Sequence, residues 1–244
     1  MRLSGCIIAR DEIDRIERAI QSLGFCDEVV VLDSGSTDGT AERAEALGAR
    51  VLRVDWPGHV AQKNRGLAAS RGEWVLSIDA DEWVPEALAA EILAFLDAPP
   101  TTGASMPRRN FWLGTPLRHG RWYPDRRVRL ARREGARWTG LNPHDQLDAG
   151  TITALQQDLQ HAPYRTLGEH LATIDRYTAI AARTARVGLA PFDLGVRPLW
   201  HFFRGYVLGQ GFRDGLPGFV VAVLGALYVI LKYARARGLG PAAG

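Results

Sequence analysis

An α/β fold built on a mostly parallel sheet is predicted by three observations. Short apolar runs alternate with helical patterns over residues 1–96. Polar loops separate the runs from the helical stretches, as in sheets covered on both faces. Carboxylates fall at the ends of the runs, and open sheets of this kind bind ligands at the carboxyl ends of their strands. The 244 residues suffice for one large domain, or one domain with an appendage.

The elements follow in order. Leu3 to Ala9 reads as a buried strand. Ile13, Ile16, Ile20 and Leu23 recur at helical spacing, with Asp11 placed as a cap. Glu28 to Asp33 is a second strand, followed by the loop SGSTDG and a short helix ending near Gly48. Val51 to Val54 is a third strand, and His59 to Ser70 a helix stopped by Gly72. Trp74 to Asp79 is a fourth strand, and Pro85 opens the helix PEALAAEILAFL. After the break APPTTG come short strand candidates, many arginines and several tryptophans, which predict an antiparallel or irregular extension. Residues 166–188 return to helix, with Leu171, Ile174, Tyr177 and Ile180 on one stripe. Between Asp214 and Lys232 lie 17 uncharged residues, followed by the basic KYARAR. The expected divisions are 1–97 and 98–165 as two halves of one domain, ligand-binding and acceptor-side, and a C-terminal helical, membrane-associating region 166–244.

Composition narrows the function. Hydrophobic residues make up 46% and charged residues 23%, which excludes wholesale disorder. No fixed-period repeat points to a solenoid. Cys6 and Cys26 supply neither a disulfide framework nor zinc spacing, and read as small buried hydrophobes. The opening apolar run is too short for a signal peptide, so the expected compartment is the cytoplasm. A net charge of +3 does not indicate a nucleic-acid binder, and none is expected as a partner. Ten of the 30 basic residues are arginines between Arg108 and Arg137, and such forks suit phosphate and carboxylate groups.

Three constellations can carry chemistry. In IDADEW, Asp79 and Asp81 stand two apart past an apolar strand, with Glu82 adjacent. Two hard carboxylates there can hold Mg²⁺ or Mn²⁺ while substrate phosphates fill other positions; the alternative is a solvated acidic turn. In VVVLDSGSTDGT, Asp33 ends a strand before a loop of small residues that admits a ligand to the backbone; the alternative is an ordinary turn capped by Asp38. The third is Arg10-Asp11-Glu12, whose alternative is helix capping.

Taken together, IIARDE, VVVLDSGSTDGT, AQKNRGLAAS and WVLSIDADEW resemble, in that order, the family 2 glycosyltransferases with the GT-A fold. WYPDRRVRLARR, His144-Asp145, HAPY at 161–164 and GFRDGLPGFVVAVLGALYVILKY resemble the bacterial lipopolysaccharide-core glucosyltransferase group. The resemblance implies a GT-A (Rossmann-like) α/β sheet flanked by helices, with an acceptor-side extension and apolar C-terminal helices. It implies that Asp33 binds the base of a nucleotide sugar and that Ala9 and Glu12 line the nucleotide pocket. By the same token Lys63 and Asn64 lie near the nucleotide, Asp79 near ribose and metal, and Asp81 on the metal. Either Asp145 or its neighbour His144 would be the base, and transfer would invert the anomeric centre. The family group more often has Glu after this His, so Asp145 is a shorter departure. The QxxRW motif of processive synthases is missing from the second half, so single-sugar transfer is expected.

The arginine segment has two readings: Arg126, Arg127 and Arg129 draw an anionic acceptor, with Trp122 stacking on its sugar, or they form a solvated or headgroup-binding face. The C-terminal run is marginal for a span, which wants ~20 apolar residues. A monotopic helix is the expectation, and a buried core helix or dimer contact the alternative. The whole predicts a metal-dependent transferase moving glucose from UDP-glucose to a lipopolysaccharide-core or related lipid-linked acceptor. It would work at the inner face of the cytoplasmic membrane, with oligomeric state open. The rivals are transfer to a polyprenyl phosphate and a non-catalytic nucleotide-sugar-binding or scaffold protein.

Overall fold

The computed structural model describes residues 1–140 and 145–239. Over the first hundred residues the order is β1 (Leu3–Ala9), α1 (Ile16–Ser22), β2 (Glu28–Asp33), α2 (Thr40–Ala46), β3 (Arg50–Arg53), α3 (His59–Ala69), β4 (Trp74–Asp79), β5 (Glu82–Trp83) and α4 (Glu86–Asp97). Strand β1 pairs in parallel with β2 and β4, and β2 with β3. The rest of the chain adds β6 (Gly103–Trp112), β7 (Thr115–Pro116), β8 (Asp125–Arg132), β9 (Arg137–Thr139), β10 (Gln146–Asp148), β11 (Ile152–Ala154) and β12 (Leu159–Tyr164). The main sheet runs β3-β2-β1-β4-β8-β6-β12-β5, with β7 and β11 also on β6, while β9 and β10 pair separately. Antiparallel β8 on β4 begins the extension that the sequence predicts.

Two compact units share the chain. Unit 1 comprises Met1–Arg108 and Arg126–His161; unit 2 comprises Arg109–Asp125 and the chain from Ala162 onward. The division expected at residue 97 separates two halves of one domain, and both sides of it lie in unit 1.

In unit 1 the period of two along β1 sends alternate side chains to opposite cores. Ile7 joins Val31 and Leu76 under Ile16 and Ile20 of α1 and Leu88, Ile92 and Phe95 of α4. Cys6 and Ile8 join Val30, Leu32 and Val75 against Leu67 of α3 and Trp138. Both cysteines are free, and burial pushes each thiol up to about 12, so they act as apolar packing groups. Helix α3 lies close on the sheet because Gly66 has no Cβ; one there would strike Cys6 Sγ and touch Leu32. One local expectation fails. Asp11 does not cap α1: its φ is 53°, in the left-handed region, and its carboxylate accepts the Thr37 N–H at 2.8 Å. Ile13 is correspondingly exposed, and α1 starts only at Ile16.

In unit 2 the helices are α5 (Leu167–Ala182), α6 (Arg197–Phe203) and α7 (Gly215–Ala236), with π-helical turns at Phe192–Val196 and Arg204–Leu208 flanking α6. Thr166 caps α5 by accepting the Glu169 N–H, while Glu169 reaches back to the Arg165 N–H. Trp112 and Leu117 pack with Ile174 of α5 and Val221 and Leu224 of α7. That packing explains why 109–125 belongs with the C-terminal helices. Trp112 Nε1 donates to His170 Nδ1 at 3.1 Å, and burial lowers this imidazole to about 4, keeping it neutral.

Candidate functional site

Parallel register builds the floor of the site. Ala9 stands opposite Asp33, and Ile8 opposite Asp79, so both aspartates emerge at the carboxyl ends of neighbouring strands. The chain then turns through Ala80 and Asp81 into β5. Glu82 holds that turn. Its fully buried carboxylate accepts the Asp79 N–H at 3.0 Å and binds Arg108 at 3.0 Å and Arg129 at 2.7 Å. Arg129 also meets Asp79 Oδ2 at 2.8 Å. Burial alone would lower the Arg129 guanidinium, but Glu82 and Asp79 outweigh it and raise it, so its charge is fixed. Removing one partner of such a buried set costs about 3–5 kcal/mol.

The next layer comes from far away in sequence. Lys63, buried on α3, donates to Asp145 Oδ2 at 2.8 Å and lies 3.1 Å from Asp79 Oδ1, with its ammonium 4.5 Å from the Trp138 ring centroid. Asn64 fixes the approach: it donates to the Trp138 carbonyl and accepts the Trp138 N–H, both at 2.9 Å. Asp145 precedes β10, whose antiparallel pairing with β9 ties it to Trp138. Burial raises the Asp145 carboxyl, but Lys63 more than offsets this and holds it below the usual range. Asp79 behaves likewise, lifted by burial and lowered further by Lys63 and Arg129.

A third contact depends on sheet register. Strand β12 pairs antiparallel with β5, setting His161 opposite Glu82. His161 Nε2 thereby comes 3.4 Å from Asp81 Oδ2. Burial raises the Asp81 carboxyl, but His161 outweighs it and the net shift is downward. Among the described residues no group of three or more His, Cys, Asp or Glu stands ready to hold a metal. One carboxylate and one imidazole nonetheless suit a divalent ion that takes its remaining ligands from phosphates and water.

Asp33 is buried and shapes its own loop, accepting the N–H groups of Gly35 and Ser36 at 3.1 Å and the Ser36 hydroxyl. Ala9 accepts the Ser34 N–H at 3.0 Å, and the Glu12 N–H donates to Thr40 Oγ1 at 2.8 Å. Of the arginine candidates, Arg129 lies inside the carboxylate cluster, Arg126 donates to the carbonyls of Ser105 and Leu155, and Arg127 is half-buried on β8. Trp122 belongs to unit 2, where it packs beside Tyr164 and His170. His144 lies outside the described residues. Sequence reasoning missed Glu82 as the hub and His161 as the neighbour of Asp81, because both roles arise from strand pairing.

The description "Glycosyl transferase family 2" matches residues 4–153. The lipopolysaccharide core biosynthesis glycosyltransferase LpsC of Rhizobium meliloti (strain 1021) is 30% identical over 96% of this chain and 91% of its own. An uncharacterized glycosyltransferase of Rickettsia bellii (strain RML369-C) is 28% identical over 98% and 87%. Among solved structures, S. aureus TarS 1-349 in complex with UDP-GlcNAc superposes with a TM-score of 0.52 at 16% identity, covering 98% of this chain and 84% of that one. At that identity the likeness shows the fold alone.

Proposed function

The chain belongs to glycosyl transferase family 2, and from that premise we propose that it moves a single sugar, glucose from UDP-glucose, with inversion. The acceptor is a lipopolysaccharide-core or related lipid-linked glycan at the inner face of the cytoplasmic membrane. The observation that carries this reading is convergence. Asp145, 82 residues from Lys63, meets it at 2.8 Å, and the same ammonium touches Asp79 at the end of β4. That meeting supports a base beside a nucleotide-diphosphate floor, the arrangement a direct displacement requires. The similarity to LpsC supports the acceptor class.

Asp145 takes the proton from the acceptor hydroxyl as its oxygen forms the new bond to the anomeric carbon and the bond to the diphosphate oxygen breaks. Asp33 and the loop it shapes hold the nucleoside. Asp81 and His161 would hold Mg²⁺ or Mn²⁺, which when bound supplies charge neutralisation for the departing diphosphate. Asp79, already engaged by Lys63 and Arg129, orients that wall.

The experiment is UDP-glucose turnover by the full chain, with and without Mn²⁺, offered a core oligosaccharide or a polyprenyl phosphate. Asp81→Asn is expected to lose at least about 10²-fold in turnover while its unliganded melting temperature stays close to that of the parent. Near-normal turnover in that variant removes the metal role. Transfer to the phosphate acceptor alone replaces the glycan reading, since an anionic phosphate needs no strong base.

A further inference from the structure

Unit 2 carries an apolar face that its own core does not use. From Phe192 to Leu208 the chain is one helical rod, α6 with its two π-helical turns. Leu199, Trp200, Phe203 and Leu208 are exposed along it, and Phe212 and Leu216 follow where the chain turns into α7. These six are between 42% and 73% exposed, and other large apolar side chains of the same unit, Leu189, Phe192, Val196, Val207 and Phe219 among them, are exposed with them. Aromatic contacts form two groups along this stretch: Trp200 stacks on Phe203 at 5.9 Å, and Tyr206 meets both Phe212 and Phe219. A monomer that leaves such a face uncovered offers it to a membrane or a partner.

Charge selects between these. Unit 2 contains thirteen Arg and Lys against five Asp and Glu, a net +8, whereas unit 1 contains seventeen against twenty-two, a net −5. The near-neutral total of the chain hides this split. Exposed Arg204 and Arg213 adjoin Phe203 and Phe212 in sequence. A second copy would bring one +8 surface against another, while anionic headgroups would meet both the charge and the apolar side chains.

Packing decides how such a unit sits. The stretch Gly211–Ala236 is long and apolar enough to cross a bilayer. Yet Val221, Leu224, Tyr228 and Leu231 turn inward to the core with Trp112 and Ile174. The C-terminal end of α7 is tied by Arg235 to Asp175 and Thr178 of α5, a helix that also carries Glu169 and Arg176. A helix that packs one face on a core and ties its last turn to charged side chains does not present an apolar surface all round. Its outward Leu216, Phe219 and Val223 instead share one face of its first half.

We propose that unit 2 docks on an anionic lipid bilayer through the face formed by Leu199, Trp200, Phe203, Leu208, Phe212 and Leu216, lying in the headgroup layer without spanning it. This rests on the membrane location in the function proposed above and names the surface that provides it.

The test is flotation of the purified full chain with vesicles of phosphatidylcholine alone and of phosphatidylcholine with one quarter phosphatidylglycerol. Binding to the anionic vesicles is expected, weakened about tenfold or more by 0.5 M NaCl and by Arg204→Gln/Arg213→Gln. The double variant Trp200→Ser/Phe203→Ser should lose a similar factor with an unchanged circular dichroism spectrum and melting temperature. Absence of flotation overturns the proposal, as does salt-insensitive binding that resists carbonate extraction, which would mean a spanning helix. A dimer that Trp200→Ser/Phe203→Ser converts to monomer without changing flotation assigns the face to a second copy. UDP-glucose turnover in the same samples keeps the two readings apart: failed docking leaves turnover in solution intact, and failed turnover leaves flotation intact.

Discussion

Lys63 stands between two carboxylates with different work to do. It pairs with Asp79 at 3.1 Å and with Asp145 at 2.8 Å; in the mechanism proposed above, the first pairing neutralises the floor of the nucleotide site and the second keeps the base ionised. An ionised carboxylate with a lowered pKa is always ready at neutral pH, though it is a weak base, and Lys63 sets that balance. Lowering means that the ionised form persists until the pH falls through the depressed value, so the acid limb of kcat/KM lies below the ordinary carboxylate range. In Lys63→Met only burial and the remaining charges act on Asp145, so that limb should move to higher pH. Asp145→Asn should lower the turnover number by about 10²- to 10⁴-fold, the usual reach of general base catalysis, with donor affinity nearly unchanged. A pH profile of both variants checks this. An unmoved acid limb in Lys63→Met separates Lys63 from the base, and near-normal turnover in Asp145→Asn places the base elsewhere, His144 first.

At the scale of elements, α3 is the piece on which the site depends, because it presents Lys63 and Asn64 from a helix pressed onto β1. Gly66 permits that approach, and alanine there has two opposed effects. Helix propensity favours alanine by about 1 kcal/mol, while forcing a methyl against Cys6 Sγ costs about 1–3 kcal/mol. The helix cannot simply retreat, since Asn64 is bonded to both backbone groups of Trp138. The clash should win, and Gly66→Ala should melt several degrees below the parent, with Cys6→Ala in the same chain restoring most of the loss. Thermal unfolding of the single and double variants decides it; a Gly66→Ala chain as stable as the parent would show that β1 and α3 have slack.

For the molecule as a whole, local pattern and long-range pairing divide what the sequence reveals. Strands β1, β2 and β4 begin and end where their apolar runs do, and Asp33 and Asp79 were legible as strand-end carboxylates because period and position are local properties. The meeting of Lys63 with Asp145 was not legible, for it depends on α3 docking through Asn64 on Trp138, and that of His161 with Asp81 was not, for it depends on β12 pairing with β5. The same holds for the residues 109–125, whose short strand and loop gave no periodic sign that Trp112 and Leu117 complete a core with α5 and α7. The uncharged run was legible as apolar, but its inward face was not.

That inward face yields a prediction about truncation. If α7 were only an anchor, a chain ending at Arg213 would be a soluble version of the same enzyme. In the structure α7 supplies Val221 and Leu224 to the core of unit 2, with Leu227, Tyr228 and Leu231 packed against it. Burying a large apolar side chain is worth about 1.5–3 kcal/mol, so the loss amounts to several kcal/mol, against the roughly 5–15 kcal/mol by which a whole protein is stable. Trp112, Leu117 and Ile174 would be left exposed. The truncated chain should therefore aggregate, or elute in the void volume with Trp112 and Trp122 fluorescence shifted to the red, while Trp200→Ser/Phe203→Ser remains folded. Size-exclusion chromatography and tryptophan emission check the pair. A monodisperse, cooperatively melting chain ending at Arg213 would mean that unit 2 does not need α7 to fold, and would return that helix to the role of a detachable anchor.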